Sequence, residues 1–337
     1  MIGILRSLAV LFLALSVALG CHRSEPPQVI VYASLDQVYS EPILQDFAGR
    51  TGIRVRPVYD SEAAKTTGLV SRLIAERQRP RGDVFWNNEL VQTLLLADQG
   101  VLESYHSPSA ADIPNEFKDP DGRWTGIAAR ARVIVYNTKL VSSDQLPRRL
   151  ADLSDSRWRD QVAIANPRAG STRIHVAALF AALGPEPAKK MLASLMDNGA
   201  RVVDGNAMVK NLVARGVVKL GLTDTDDVHS GKLEGEPVEA VYPDQDSLGT
   251  LIFPNTICLI RGAPHPDAAR RLIDYLLSPE VEERLAAGPS AQMPVRADVK
   301  HPPDVPSCTS VRSMKLTPKQ MLEQLAPSSR WVEERFR

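Results

Sequence analysis

From residue 29 to residue 100 the chain alternates short runs of branched and aromatic side chains with longer stretches whose apolar residues recur every three or four positions. The short runs are too brief for helices and the longer ones carry their apolar side chains on one face, so the segment reads strand, helix, strand, helix, strand, helix. Strands are expected at 29–33, 53–58 and 83–86. Helices are expected at 41–50, with Pro42 in the first turn and Ile43, Leu44 and Phe47 inward, at 65–78, and at 89–98, the last closed by Gly100. Strands joined through helices run parallel, and a parallel sheet needs cover on both faces. The fold class is α/β.

Two longer strand-like runs, 126–136 and 249–260, flank a second block of the same kind. That block holds a helix after 167–172 with its apolar stretch at 176–183, a helix at 188–198, the segment 206–215 and a strand at 217–222. Helices at 266–277 and 279–287 follow, and a proline-rich tail leads to a last helical stretch at 318–325. Two long connectors around an α/β block indicate a discontinuous two-lobe protein. The length of 337 residues and the 44% apolar content are enough for a core in each lobe. Forty acidic and forty basic residues cancel, and no basic stripe is interleaved with aromatics, which argues against a nucleic-acid partner.

Near the N-terminus Arg6 precedes an apolar run over 8–19, of signal-peptide length and short for a membrane span. The run ends in Ala18-Leu19-Gly20-Cys21, a match to the bacterial lipobox, so residues 1–21 are expected to direct export and Cys21 to become the lipid-bearing first residue. Diacylglycerol plus an N-acyl chain exceeds the two signals that stable anchoring takes. Residues 22–28 read as a tether. Cys258 and Cys308 would then lie in an oxidising compartment where a disulfide is permitted, although Cys258 sits in an apolar run where a buried free thiol serves equally well.

The sharpest chemical signal is Thr223-Asp-Thr-Asp-Asp227, directly behind the apolar run 217–222. Asp224, Asp226 and Asp227 place three carboxylates at the carboxyl end of a strand, where open α/β sheets collect ligands, and such neighbours raise one another's pKa unless a cation intervenes. The plainer reading is a solvated turn whose first Asp caps a helix. Asp36 ends the first strand and faces the same two readings, with Tyr39 close by as a phenolate. Glu62 follows the second strand. Trp86, with Asn87 beside it, is expected to be half core and half exposed to ligand, where its ring would attract an organic ammonium. His175 is expected in packing or on the surface. A calcium-loop reading of 224–231 fails on spacing, and no nucleophile, zinc-helix or phosphate-loop signature accompanies the acids.

The lipobox, a first strand opening into a polar loop, the strand Asp83-Val-Phe-Trp-Asn-Asn-Glu89 and the ending His265-Pro-Asp-Ala-Ala-Arg-Arg-Leu-Ile-Asp-Tyr-Leu-Leu-Ser-Pro-Glu280 together resemble the ferric-iron-binding branch of the type 2 periplasmic-binding-protein family. The resemblance covers 29–300. It implies two lobes joined by crossover strands with an interlobe cleft, lobe 1 from 29–131 plus 251–300 and lobe 2 from 132–250 plus 301–337. It implies a monomeric, non-catalytic solute-binding lipoprotein that delivers its cargo to an ABC permease and its ATPase. Iron-holding members use a histidine, a glutamate and two tyrosines; here those positions fall on Asp36, on Asn88 with Glu89 beside it, and on Thr225 and Asp226. Fe(III) would then rest on carboxylate oxygens, which are also hard donors. The accessory anion site of the family maps to Arg130, the helix start Gly170-Ser171-Thr172 and Asn206. Other cargoes stay open: a polyamine or other amine on Trp86 and the acids, a phosphonate or sugar phosphate on Arg130 and the helix start, or, least favoured, a divalent metal for hydrolysis.

Overall fold

The computed structural model describes residues 26–60 and 67–336. Cys21 and Glu62 lie outside the described residues. The first half of the order is β1 (Gln28–Ala33), α1 (Gln37–Thr51), β2 (Arg54–Tyr59), α2 (Thr67–Glu76), β3 (Val84–Asn87), α3 (Leu90–Asp98), β4 (Leu102–Glu103) and the long β5 (Thr125–Asn137). Then follow β6 (Val162–Ala165), α4 (Gly170–Leu183), α5 (Pro185–Asp197), β7 (Arg201–Val203), α6 (Asn206–Ala214), β8 (Leu220–Asp224), α7 (Thr225–Leu233) and β9 (Val238–Val241). The chain closes with β10 (Ile252–Ile260), α8 (Pro266–Leu276), α9 (Pro279–Ala287) and α10 (Pro318–Arg335).

The strands order as β2-β1-β3-β10-β5-β8-β6-β7, with β4 added on β10 and β9 on β5. β1 pairs parallel with β2 and β3, and β6 parallel with β7 and β8, as strand-helix-strand units require. Both β10 and β5 run antiparallel to their neighbours and carry the chain across. Along β5 the ladder changes partner: Thr125 to Ala131 pair with β10, and Arg132 to Tyr136 with β8. Two sheet halves thus share one strand, which makes this a two-lobe α/β protein.

Side chains alternate across the buried strands. In β3, Val84 and Trp86 enter one core cluster and Phe85 the other; in β10, Ile257 and Leu259 oppose Cys258 and Ile260. Trp86 is fully buried, not half exposed to ligand, because every β3 side chain is enclosed by helices on one face or the other. Cys258 and Cys308 are both buried free thiols. His175 is packed inside α4, its ring pKa well below the usual value through burial and then the charge of Arg132.

Three element ends differ from expectation in informative ways. α1 begins at Gln37, so Pro42 lies inside the helix and not in its first turn. The carbonyl that its missing N–H leaves unbonded belongs to Val38, an exposed residue of the first turn, where water can serve it. β8 runs through Asp224, beyond the expected end at 222, because its register with β5 sets Thr223 opposite Val133 and Asp224 opposite Arg132. α10 reaches Arg335, a full ten residues past 325: Thr317 and Gln320 form a capping box at its start, and Trp331 stacks on Phe180 of α4 at 5.9 Å. α10 lies along α4 and also touches α3.

Candidate functional site

The acids after β8 converge. One oxygen each from Asp224, Asp226 and Asp227 lies within 4.8 Å of the others. Asp224 is the last residue of β8, and α7 starts at Thr225, so Asp226 and Asp227 belong to the first helical turn, where the helix dipole favours negative charge. Asp224 stands at the helix cap position, yet its side chain makes no capping bond and turns back to β5.

There it meets Arg132. The guanidinium, fully buried, donates from Nη1 to Asp224 Oδ1 at 2.6 Å, to Ser171 Oγ at 3.1 Å and to Asn206 Oδ1 at 3.0 Å, and from Nη2 to Thr172 Oγ1 at 3.3 Å. The other oxygen, Asp224 Oδ2, accepts from Ser171 Oγ at 2.7 Å and Asn206 Nδ2 at 2.9 Å. The start of α4, the start of α6 and the end of β8 are thereby clamped around one buried ion pair. Gly170 takes a positive φ of 57° to open α4 at this point. Gly221 lets α6 approach: a Cβ there would sit 2.3 Å from Val209 Cγ1.

Arg130, one β-period earlier on the same strand face, goes elsewhere. Its Nη1 lies 3.3 Å from Asp226 Oδ2 and 3.8 Å from Asp224, and its Nη2 donates to the Asn88 carbonyl at 2.8 Å. Its guanidinium also stacks on Phe253 at 4.9 Å. Of the residues mapped to the accessory anion site, Ser171, Thr172 and Asn206 gather around Arg132 rather than Arg130. The signal for Arg132 was in the sequence, since Arg-Ala-Arg in a strand puts both arginines on one face.

Charge balance in this wall is incomplete. Two guanidiniums face three carboxylates. Burial first, then the neighbouring charges of Asp226 and Asp224, push Asp227 up to about 8, although Thr223 donates to its Oδ2 at 2.9 Å. Asp226 is also raised, by burial and Asp224 against the pull of Arg130, and its Oδ1 is buried without a hydrogen-bond partner. Burial lifts Glu89 to about 7, with Arg173 and Arg130 opposing. Burial alone would lower the pKa of Arg130, but Asp226 and Asp224 outweigh it.

The remaining expected residues divide. Asn88 lies partly open after β3, its carbonyl on Arg130 and its amide N–H on Ser34 Oγ at 2.9 Å. Asp36 takes the cap position of α1 and, with Tyr59 and Asp60, lines a groove of about 450 Å³ at the carboxyl ends of β1 and β2. Tyr39 is half-buried against the core. Asn87, expected to touch ligand, is fully buried and spent on Ser34, Thr93 and the Glu89 carbonyl. The hydroxyl of Thr225 accepts from the Ala131 amide at 3.2 Å, so this residue ties α7 to β5.

Residues 87–317, from the loop of Asn88 to the base of α10, match the family of bacterial extracellular solute-binding proteins. The chain belongs to that family. Among relatives of this solute-binding protein is the iron uptake protein A1 of a Synechocystis species, 25% identical over 320 residues that cover 92% of this chain and 87% of the relative. Another is a putative 2-aminoethylphosphonate-binding periplasmic protein of Salmonella typhimurium, 26% identical over 258 residues, 75% of this chain and 73% of that one. The crystal structure of iron-bound HitA from Pseudomonas aeruginosa superposes with a TM-score of 0.80 at 25% identity, covering 91% of this chain and 99% of HitA. The solute-binding protein thus has the two-lobe fold of the periplasmic ferric-binding proteins.

Proposed function

We propose that this solute-binding protein captures a hard metal cation between its lobes, ferric iron first, and hands it to an ABC permease and its ATPase. Asp226 carries the reading. Among the described residues, a carboxylate oxygen buried without a donor, beside two further carboxylates and two guanidiniums, is a site short of positive charge. Carboxylate oxygens are hard donors of the kind Fe(III) takes. Asp226 and Asp227 would supply them from one lobe, with Asn88, Glu89 and Asp36 on the other, and closure would exclude the water that screens them. The names of the iron-binding relatives support the same cargo. Binding without catalysis is the role proposed. In this reading Cys21 bears the lipid that holds the protein on the extracytoplasmic face of a membrane.

An amine-bearing phosphonate is the second reading, favoured by guanidiniums and carboxylates alternating along one wall and by the name of the Salmonella relative. Native mass spectrometry with elemental analysis, on protein purified without chelator, separates the two. Stoichiometric iron or another hard metal supports the first; an organic adduct with phosphorus and no metal supports the second. Under the first reading Asp226→Ala weakens metal binding by about 30-fold or more, the scale for truncating one partner of a close charged contact, and unchanged affinity by calorimetry would remove Asp226 from the site.

A further inference from the structure

The two arginines of the acid wall are held very differently. Arg132 is fully buried, meets Asp224 at 2.6 Å and is clamped by Ser171, Thr172 and Asn206. Arg130 keeps some solvent exposure and reaches Asp226 only at 3.3 Å, longer than the 2.7–2.9 Å typical of a charge-assisted bond. Its second contact is to the Asn88 carbonyl in the other sheet half, at 2.8 Å. Its Cα lies beside the point on β5 where the ladder passes from β10 to β8.

The geometry points to Arg130 as a resident counter-ion: it occupies the acid wall, and an incoming cation must displace it. This rests on the cation reading above. Asp226 Oδ1 is buried although the side chain is partly exposed, so an ion arriving from solvent meets Oδ2, the oxygen that holds Arg130, and two positive groups cannot share it at close range without repulsion. Both atoms that Arg130 would release, Asp226 Oδ2 and the Asn88 carbonyl, are hard oxygens on opposite sides of the cleft. Displacement therefore frees one donor from each lobe and unties a contact that spans them, so loading is coupled to the hinge. The Phe253 ring, 4.9 Å from the guanidinium carbon, gives the side chain an apolar surface to slide along.

The test is a terbium(III) luminescence titration of the wild type and of Arg130→Met, Arg130→Lys and Arg173→Met, with circular dichroism confirming each fold. A resident ion that holds the site nine-tenths of the time lowers apparent affinity about tenfold. Arg130→Met is thus expected to bind terbium about tenfold more tightly. Arg130→Lys should gain less, because a point charge remains but cannot fork to both acceptors. Arg173→Met removes an equal charge that bears on Glu89 while its Nε is bonded to Ser329, and controls for a through-space electrostatic gain without displacement. Weaker or unchanged binding by Arg130→Met overturns the proposal, as does an equal gain from Arg173→Met. If Arg130→Met fails to fold, Arg130→Lys carries the test, and unchanged affinity in that variant is the overturning result. Binding by the wild type with no gain on substitution defeats displacement alone, whereas no binding by any of the four defeats the cation reading as well.

Discussion

Replacing Arg132 by methionine should show how much of the site depends on one buried ion pair. The substitution keeps most of the aliphatic stem but strands Asp224, which is 1% exposed, without its fully buried counter-ion. Removing one partner of a buried pair costs about 3–5 kcal/mol, most of it the uncompensated charge left behind. Asp224 would still accept from Ser171 at 2.7 Å and Asn206 at 2.9 Å, with Arg130 at 3.8 Å, so the lower end, about 3 kcal/mol, applies. Unfolding entropy near 2.1 cal/mol/K per residue gives about 0.6 kcal/mol/K for a body of roughly 300 residues, hence a fall in melting temperature of about 5 °C. Asp224→Asn should cost a similar amount by stranding Arg132. The double variant removes both charges together and should recover about 2 kcal/mol of the summed loss. Far-UV circular dichroism and tryptophan fluorescence should trace one transition; if they separate, the lobes unfold independently and the cycle applies only to the lobe that holds the pair. Single losses under about 1 kcal/mol, or additivity within about 0.5 kcal/mol, would refute the view that this pair clamps α4, α6 and β8.

Two further outcomes follow from the same geometry and a third from the sequence. Asp227 has its pKa raised from 3.8 to about 8 in the fold, so its contribution to stability is complete below pH 3.8 and is lost as pH rises toward 8. Asp227→Asn should therefore melt about 2 °C or more above the ligand-free wild type at pH 8, with the difference vanishing near pH 4, and a pH-independent difference would contradict the raised pKa. Gly221→Ala brings a methyl group 2.3 Å from Val209 Cγ1, an overpacking expected to cost about 1–3 kcal/mol and to push Asn206 off Asp224; an unchanged melting temperature would show that α6 is not tightly seated. Cys21→Ser should move the mature protein from the membrane fraction to the soluble one, and retention after a salt wash would argue against the lipid anchor.

The fold was legible wherever hydrophobic period was strong. The strands at Val84–Asn87 and Thr125–Asn137 and the helices at Pro266–Leu276 and Pro279–Ala287 stand within two residues of expectation, because burial on both sheet faces leaves strands uniformly apolar and helices one-sided. Weak-period elements were not legible. β7, whose Arg201 and Val202 are exposed, and the half-buried β9 carry little apolar signal, and β8 was placed early because Val217 is apolar yet lies in the exposed turn after Gly216. At the site, local sequence located the acids but not their partners. Adjacency to a cleft loop in sequence does not say whether a strand residue reaches that loop: Trp86 and Asn87 point to opposite faces of β3, and both faces are covered.

Arg132 is the more instructive omission. Three carboxylates in four residues ask for positive charge, and the natural inference from the sequence is a bound ion. The fold answers part of that demand itself: the β5 to β8 register sets Arg132 directly opposite Asp224, ninety-two positions away in the chain, and brings Arg130 to Asp226. Only pairing across the sheet creates this match. What remains after the match is a shortage of positive charge at the other two acids. Asp224 is satisfied three ways and belongs to the framework, whereas Asp226 has one loose partner and one buried oxygen with none, and Asp227 is held near its neutral form for want of charge. A cation arriving from solvent would complete the second and third acids without disturbing the first. The acid run is therefore two structures in series: a locked pair that holds the wall in place, and an under-compensated pair poised in front of it.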